Sequence, residues 1–311
     1  MMIKAEFLLK NLSLQVLSRE GVPEEWIEYV KKRCKIDMRD HYFFWEAYQL
    51  LDLLEKAGVK SIKGFKILDA GSGFGVVDCL LKMMGGDLTL LDYDMGYLNK
   101  SRDAFREIDC FVPFASLRAK GSHAPRNDTS PNLSLRAEGE AISKFEIPEA
   151  KFVKGNILNM PFKGKKFDLV WNGGVVEHFE KPSEAIRQMA LMIKPDGYVF
   201  VSVPALLTPH TFIVRPYRRR IKNFYFDIWG KEKSYTERRL AEEMKKAGLK
   251  DVLTSTCNIR RTFVDDYVLY PRLKKYAPKY IPQILNLFDW LEMNIPFLHY
   301  FGFTVGAIGR K

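Results

Sequence analysis

Lys66-Ile67-Leu68-Asp69-Ala70-Gly71-Ser72-Gly73-Phe74-Gly75 is the stretch that decides the fold. An apolar run ends in an aspartate, and glycines then stand at every second position. Val76-Val77-Asp78-Cys79-Leu80-Leu81 follows with helical character. The order predicts a strand, a tight turn and a helix start. Glycine adopts positive φ without steric cost and lets a ligand approach the backbone closely. The helix N-terminus behind it presents unpaired N–H groups and partial positive charge. Such a turn suits a nucleotide-like or carboxylate-bearing ligand.

The spacing is G-x-G-x-G, not the G-x-G-x-x-G of a dinucleotide turn, because Val76 stands where the third glycine would fall. Seventeen residues after Gly75, Asp92 closes the apolar run Leu88-Thr89-Leu90-Leu91. An acid at the end of a second strand can accept hydrogen bonds from ribose hydroxyls. NAD and S-adenosylmethionine both carry that ribose, so Asp92 alone does not separate them.

The full pattern D-x-G-x-G-x-G resembles motif I of the class I S-adenosylmethionine-dependent methyltransferases, and Asp92 resembles the acid of their second motif. Gly155-Asn156-Ile157-Leu158 resembles the third motif, with Asn156 where the family usually has aspartate. Phe167-Asp168-Leu169-Val170-Trp171-Asn172 is similar to the fourth strand. Val175-Val176-Glu177-His178-Phe179 is similar to the segment that follows it in the small-molecule, "type 11"-like branch. Lys194-Pro195-Asp196-Gly197-Tyr198-Val199-Phe200-Val201 is similar to the turn and fifth strand. The likeness covers residues 64–205 and the last strand.

The resemblance implies a doubly wound, mostly parallel seven-stranded sheet of the Rossmann-like methyltransferase type, with S-adenosyl-L-methionine as cofactor. It implies a cofactor site built from Asp69, Gly71, Ser72, Gly73, Gly75, Asp92, Tyr93, Asn156, Ile157 and Asn172. His178 is the candidate general base, since its segment follows the fourth strand and imidazole titrates near neutral pH. An amide at Asn156 still accepts from an amino group but carries no charge. The family's nucleic-acid signature, Asn/Asp-Pro-Pro-aromatic, is replaced here by Asn172-Gly173-Gly174-Val175, which argues against a base-amine substrate.

Apart from any family, strand–helix alternation over residues 66–109 implies a parallel sheet with right-handed crossovers. Ligands of such sheets bind beyond the carboxyl ends of the strands. Asp69, Asp92, Asn156 and Asn172 all fall at or just past predicted strand ends, which argues for one site.

The 311 residues fit one elaborated domain. The expected organisation is a helical segment over 1–60, a methyltransferase domain over 61–263 and 301–311, and a helical aromatic insertion over 264–300. Pro23-Glu24-Glu25 opens one leading helix. A second is expected from Met38 to Ala57, with Phe43, Phe44, Ala47, Leu50, Leu51 and Leu54 on its apolar side and Gly58 as its stop. Residues 111–143 break the pattern and repeat themselves, Ser116-Leu117-Arg118-Ala119 returning as Ser134-Leu135-Arg136-Ala137. They read as a disordered, dispensable insertion in a surface connection, tolerable because closure cost grows slowly with length. Ser183 opens a helix to Met192, Ser234 is the expected cap of a helix over Thr236–Ala247, and the last strand is expected over Gly302–Ile308.

Four scattered cysteines show no C-x-x-C spacing that would suggest zinc or a redox pair, and they fit a reducing compartment. No metal site is expected. The N-terminus lacks a signal-peptide pattern, so a cytoplasmic location is expected, with peripheral contact at the inner face of the membrane. The net charge of +11 points to an anionic partner or to general solubility. Arg215, Arg218, Arg219, Arg220 and Lys222 crowd together before Phe224, Tyr225, Phe226 and Trp229. That composition suits a lipid interface, or RNA through phosphate contacts and stacking. Segments 215–229 and 264–300 are therefore the candidates for peripheral membrane contact; the alternatives are a solvated cationic loop with aromatics tucked into the core for the first, and an apolar substrate pocket or plain core packing for the second. The expected reaction is methyl transfer to a small-molecule or lipid-linked acceptor. RNA or protein methylation, or cofactor binding without catalysis, is the alternative.

Overall fold

Helix α1 (Tyr42–Lys56) brings the chain to the first strand. The structure, a computed structural model, describes residues 42–73, 75–102, 105, 150–164, 166–209, 211–212, 233–264 and 269–311. The first leading helix, the repeat-bearing segment 111–143 and the basic segment 215–229 lie outside the described residues. Gly58 ends α1 as expected. Its φ of +89° lets its N–H reach Glu55 O while Val59 N–H reaches Leu54 O, closing the last turn.

Strand β1 (Lys66–Ala70), helix α2 (Val76–Met83) and strand β2 (Asp87–Asp92) follow. A further helix, α3, is described over 95–102. Strands β3 (Lys151–Lys154) and β4 (Phe167–Gly173), helix α4 (Pro182–Met192) and strand β5 (Ile193–Pro204) continue the alternation. Helix α5 (Glu237–Lys246) and strand β6 (Lys250–Cys257) come next. Helices α6 (Ile259–Phe263), α7 (Leu269–Tyr276) and α8 (Ile281–Asn294), with a 3₁₀ turn over Pro296–Phe301, form the insertion before strand β7 (Thr304–Arg310).

The seven strands stand in the order β3-β2-β1-β4-β5-β7-β6. Only β7 runs against its neighbours, pairing antiparallel with both β5 and β6. The others are parallel, and their registers align the carboxyl ends: Ala70 faces Leu91, Asp92 faces Lys154 and Asp69 faces Trp171. Such a sheet must be apolar on both faces. One core joins α1 and α2 to Ile67, Leu88, Leu90, Leu169 and Phe200. The other joins α4 and α5 to Leu68, Val170, Val199, Val201 and Val305.

Two boundaries differ from expectation. Thr236, not Ser234, caps α5: its hydroxyl accepts from the Arg239 N–H. An N-cap side chain bonds two or three residues on, which Ser234 is too far back to do. The last strand begins at Thr304 rather than Gly302, because Gly302 closes the 3₁₀ turn and packs on the Cys257 backbone, where a Cβ would collide.

Helix α1 is buried more widely than its apolar stripe implies. Trp45 and Leu53 are enclosed, and so are the polar side chains of Glu46 and Gln49. Gln49 donates to Ser255 O at 2.9 Å and accepts from Ser202 Oγ at 3.1 Å, tying α1 to β6 and β5.

Candidate cofactor and methyl-transfer site

Gly71, Gly73 and Gly75 all lie in the left-handed region, with φ of +108°, +51° and +65°. An L side chain is strained there, which is why the turn needs glycine at alternate positions. The turn is anchored to β2 by Gly71 N–H to Leu91 O at 2.8 Å and Ser72 N–H to Leu91 O at 3.1 Å. A Cβ at Gly71 would press on Val175 and one at Gly75 on Leu90, whereas one at Gly73 would meet nothing. The turn is packed on two sides and open at its middle.

Asp92, at the end of β2, is buried. Its Oδ2 accepts from Gly73 N–H and its Oδ1 from Asp94 N–H, both at 2.9 Å. The two bonds fix the carboxylate against the turn, and each oxygen keeps a second lone pair. Tyr93 follows and is 75 % exposed. Asn156 lies exposed just beyond β3, its Oδ1 accepting from Leu158 N–H at 2.9 Å, and Ile157 is buried beside it.

Asn172 is fully buried. Its Nδ2 donates to Ala70 O, and its Oδ1 accepts from Val176 N–H at 3.2 Å. The amide thus binds the end of β1 to the turn after β4. His178 sits at the surface on the 3₁₀ turn Val176–His178, while Glu177 beside it is buried. The structure therefore gathers Asp69, the glycine turn, Asp92, Tyr93, Asn156, Ile157 and Asn172 along one carboxyl edge, with His178 at its outer rim.

Two carboxyls at this edge carry no motif in the sequence. Glu46 reaches it from α1, and Asp78 from the first turns of α2. Burial, then the Asp78 charge, pushes the Glu46 carboxyl up to about 8. Burial also raises Asp78 to about 6, although hydrogen bonds from Asp69 and from Trp171 Nε1 at 3.3 Å hold it down. Asp69 is raised well above the carboxylate range by burial first and Asp78 second. Two carboxyls in hydrogen-bond contact share one proton. The sequence signals were present but slight: one glutamate within the largely apolar helix α1, and paired glycines at the end of β4.

The residues fit a nucleoside-bearing, cationic cofactor. The turn offers open backbone at Gly73. Ser72 Oγ and Asp69 Oδ1 are buried without a hydrogen-bond partner. Asp92 is poised as a twin acceptor.

A Rossmann-like sheet with an acid, a glycine turn and a second acid at one edge defines a nucleoside-cofactor enzyme. The family model described as "Methyltransferase domain" matches residues 38–254, and the chain belongs to that family, the class I S-adenosylmethionine-dependent methyltransferases. A structure from Thermotoga maritima, described as a SAM-dependent methyltransferase and possible histamine N-methyltransferase, superposes with a TM-score of 0.51 at 12 % identity. It covers 97 % of this chain and 99 % of its own, which shows the shared fold. Phosphoethanolamine N-methyltransferase 2 of Haemonchus contortus, solved with phosphomonomethylethanolamine and S-adenosylhomocysteine, matches at a TM-score of 0.48 and 11 % identity, over 83 % of this chain and 51 % of that one. An uncharacterised methyltransferase of Schizosaccharomyces pombe is 33 % identical over 75 residues, 24 % of this chain. The chain spans about a quarter of that relative, 27 % of its length.

Proposed function

We propose that this S-adenosylmethionine-dependent methyltransferase delivers its methyl group to a small-molecule or lipid-linked acceptor by in-line displacement. The observation that carries the acceptor reading is the placement of the insertion. Strand β6 runs parallel to β5, since both pair antiparallel with β7. The chain between Cys257 and Thr304 therefore leaves the sheet at the carboxyl edge, the edge of Asp69, Asp92 and Asn172. That insertion presents Tyr276, Tyr280, Leu287, Trp290, Phe297 and Tyr300 to solvent. Lys275 and Lys279 lie 5.0 and 4.9 Å from the ring centres of Tyr276 and Tyr280. Exposed aromatics beside ammonium groups suit an apolar or anionic acceptor and a lipid interface. Among the described residues no helix is long and apolar enough to cross a membrane, so contact would be peripheral.

When bound, S-adenosylmethionine supplies an already activated methyl group on a sulfonium. The protein's task is alignment and exclusion of water, largely a proximity effect. Asp92 would accept from ribose hydroxyls while keeping its bonds to Gly73 and Asp94. Tyr93, Asn156 and Ile157 would hold the adenine end. Gly71, Ser72, Gly73 and Gly75 would form the backbone cradle, Asp69 would meet the charged end, and Asn172 holds the turn after β4 in place. His178 is the candidate to take the acceptor's proton where the nucleophile carries one.

The test is transfer of labelled methyl from S-adenosylmethionine into host extract, separated into lipid, small-molecule, RNA and protein fractions. Label in the lipid or small-molecule fraction is expected. Label confined to RNA or protein overturns the acceptor reading.

A further inference from the structure

Glu46 comes from α1, the helix ahead of the motif strands, yet its carboxyl lies on the end of β4. A Cβ added at Gly173 would collide with Glu46 Oε1, so the carboxyl occupies the space that glycine leaves there. The Glu46 side chain is enclosed, with the residue 4 % exposed, and Oε1 has no hydrogen-bond partner. Asp69 and Asp78, buried alongside, bond each other, and Asp78 also accepts from Trp171 Nε1, but Asp69 Oδ1 and Asp78 Oδ2 find no other donor. One turn further along α1, Gln49 is buried as deeply but fully engaged with Ser255, Ser202 and Thr304. Buried carboxyls with oxygens left open are destabilising, and a fold that needed only packing here would place apolar groups. Three carboxyls, each with one open oxygen, converge on the edge where a cationic cofactor belongs. Among the described residues no group of three acidic, histidine or cysteine side chains is disposed to hold a metal ion.

We propose that Glu46 completes, with Asp69 and Asp78, a buried carboxyl trio that reads charge, holding the sulfonium-bearing donor more tightly than the thioether product. The inference rests on the cofactor reading above. Donor and product share their adenosine and amino-acid parts and differ in the methyl group and the charge it confers on sulfur. A negative, water-poor wall favours the cation and loosens the neutral product, so that transfer itself prompts release. With its carboxyl pushed up to about 8, Glu46 is mostly protonated at neutral pH, so the wall becomes fully negative only when a cation or a higher pH ionises it. A nearby cation favours ionisation, and the proton then passes to solvent. Among the described residues, Asp78 from α2, Asp69 from β1 and, from β6, the Cys257 thiol, itself raised mainly by burial, interact electrostatically with Glu46. Lys82, further along α2, lies 5.8 Å from the Phe105 ring centre.

The experiment is calorimetric titration of the full chain and of Glu46→Gln with S-adenosylmethionine and with S-adenosylhomocysteine, at about pH 6.5 and about pH 8.5. The ligand's own α-amine titrates in this range equally for both proteins, so the comparison between proteins isolates Glu46. In the parent chain, preference for the sulfonium ligand should grow about fivefold on raising the pH. Glu46→Gln should flatten that growth to within about twofold and leave thioether affinity within about twofold. An identical pH trend in both proteins overturns the inference, as does a parent chain that binds both ligands equally at either pH. Failure of the cofactor reading looks different: neither ligand binds either protein. Gln matches Glu in shape and removes a buried charge, and a melting curve confirms its fold.

Discussion

Helix α1 meets the sheet through two buried polar side chains, three residues apart, with opposite fates. On the β5–β7–β6 side, Gln49 lies against Gly306, where a Cβ would collide with its side chain, and its amide bonds three partners. On the β1–β4 side, Glu46 lies against Gly173 in the same way, but one oxygen bonds nothing. At both glycines the space of a Cβ is taken by a side chain from α1. The first contact closes a polar network and fastens the fold. The second leaves charge capacity open at the cofactor edge. Burial of a polar group thus has two meanings, and its hydrogen-bond partners tell them apart.

Breaking each side should give changes of different kind. Gln49→Leu should cost the largest amount of stability, about 3 kcal/mol in denaturant unfolding, because Ser202 Oγ and two backbone carbonyls lose their partner. Little loss would mean that water replaces the amide and the contrast dissolves. Asp92→Ala should leave the fold standing and weaken S-adenosylhomocysteine binding by about 2 kcal/mol, through lost charge-assisted hydrogen bonds and a looser Gly73 turn. Unchanged affinity in the folded variant would remove Asp92 from the ribose site.

Glu46→Gln should do the reverse of Gln49→Leu and stabilise the ligand-free chain, by about 1.5 kcal/mol at pH 8. The sign follows from the raised carboxyl. Between its ordinary 4.5 and about 8, the folded chain holds a proton that the unfolded chain releases. Stability from this group is therefore full below 4.5 and is lost as pH rises through about 8. The variant's advantage should shrink toward pH 4.5, and thermal melts across that range check it. An advantage that does not change with pH would show that Glu46 is ionised throughout. The smallest effect should come from deleting residues 111–143. Strands β2 and β3 pair through Asp92 and Lys154 whatever joins them, so stability should move by less than about 0.5 kcal/mol. A larger loss would make that segment part of the fold.

Much of this molecule is legible along the chain because its constraints are local. Three glycines at alternate positions announce three residues of positive φ, and the structure has them there. Apolar runs such as Val199 to Val203, broken only by Ser202, announce strands buried on both faces. Asp69, Asp92 and Asn172 were placed by the rule that strand ends carry ligands. The part that escaped depends on contacts between distant residues. Nothing near position 46 says that its side chain will cross to position 173, and Gly173 reads as turn composition until the partner is seen. Asn172 shows a subtler limit: its place on the edge was legible, but its amide is engaged in tying β1 to the turn after β4. The α5 cap was misplaced by two residues because serine and threonine signal a cap equally well in sequence.

The strand order also has a consequence during synthesis. Strand β7 lies between β5 and β6, so β6 has no partner in the sheet until 46 further residues, 258–303, have been made. At roughly 5–20 residues per second, β6 leaves the ribosome with both edges bare for some seconds. The helical insertion sets the length of that wait, and newborn chains are most open to wrong strand pairing, and to rescue by chaperones, before β7 slides into the gap.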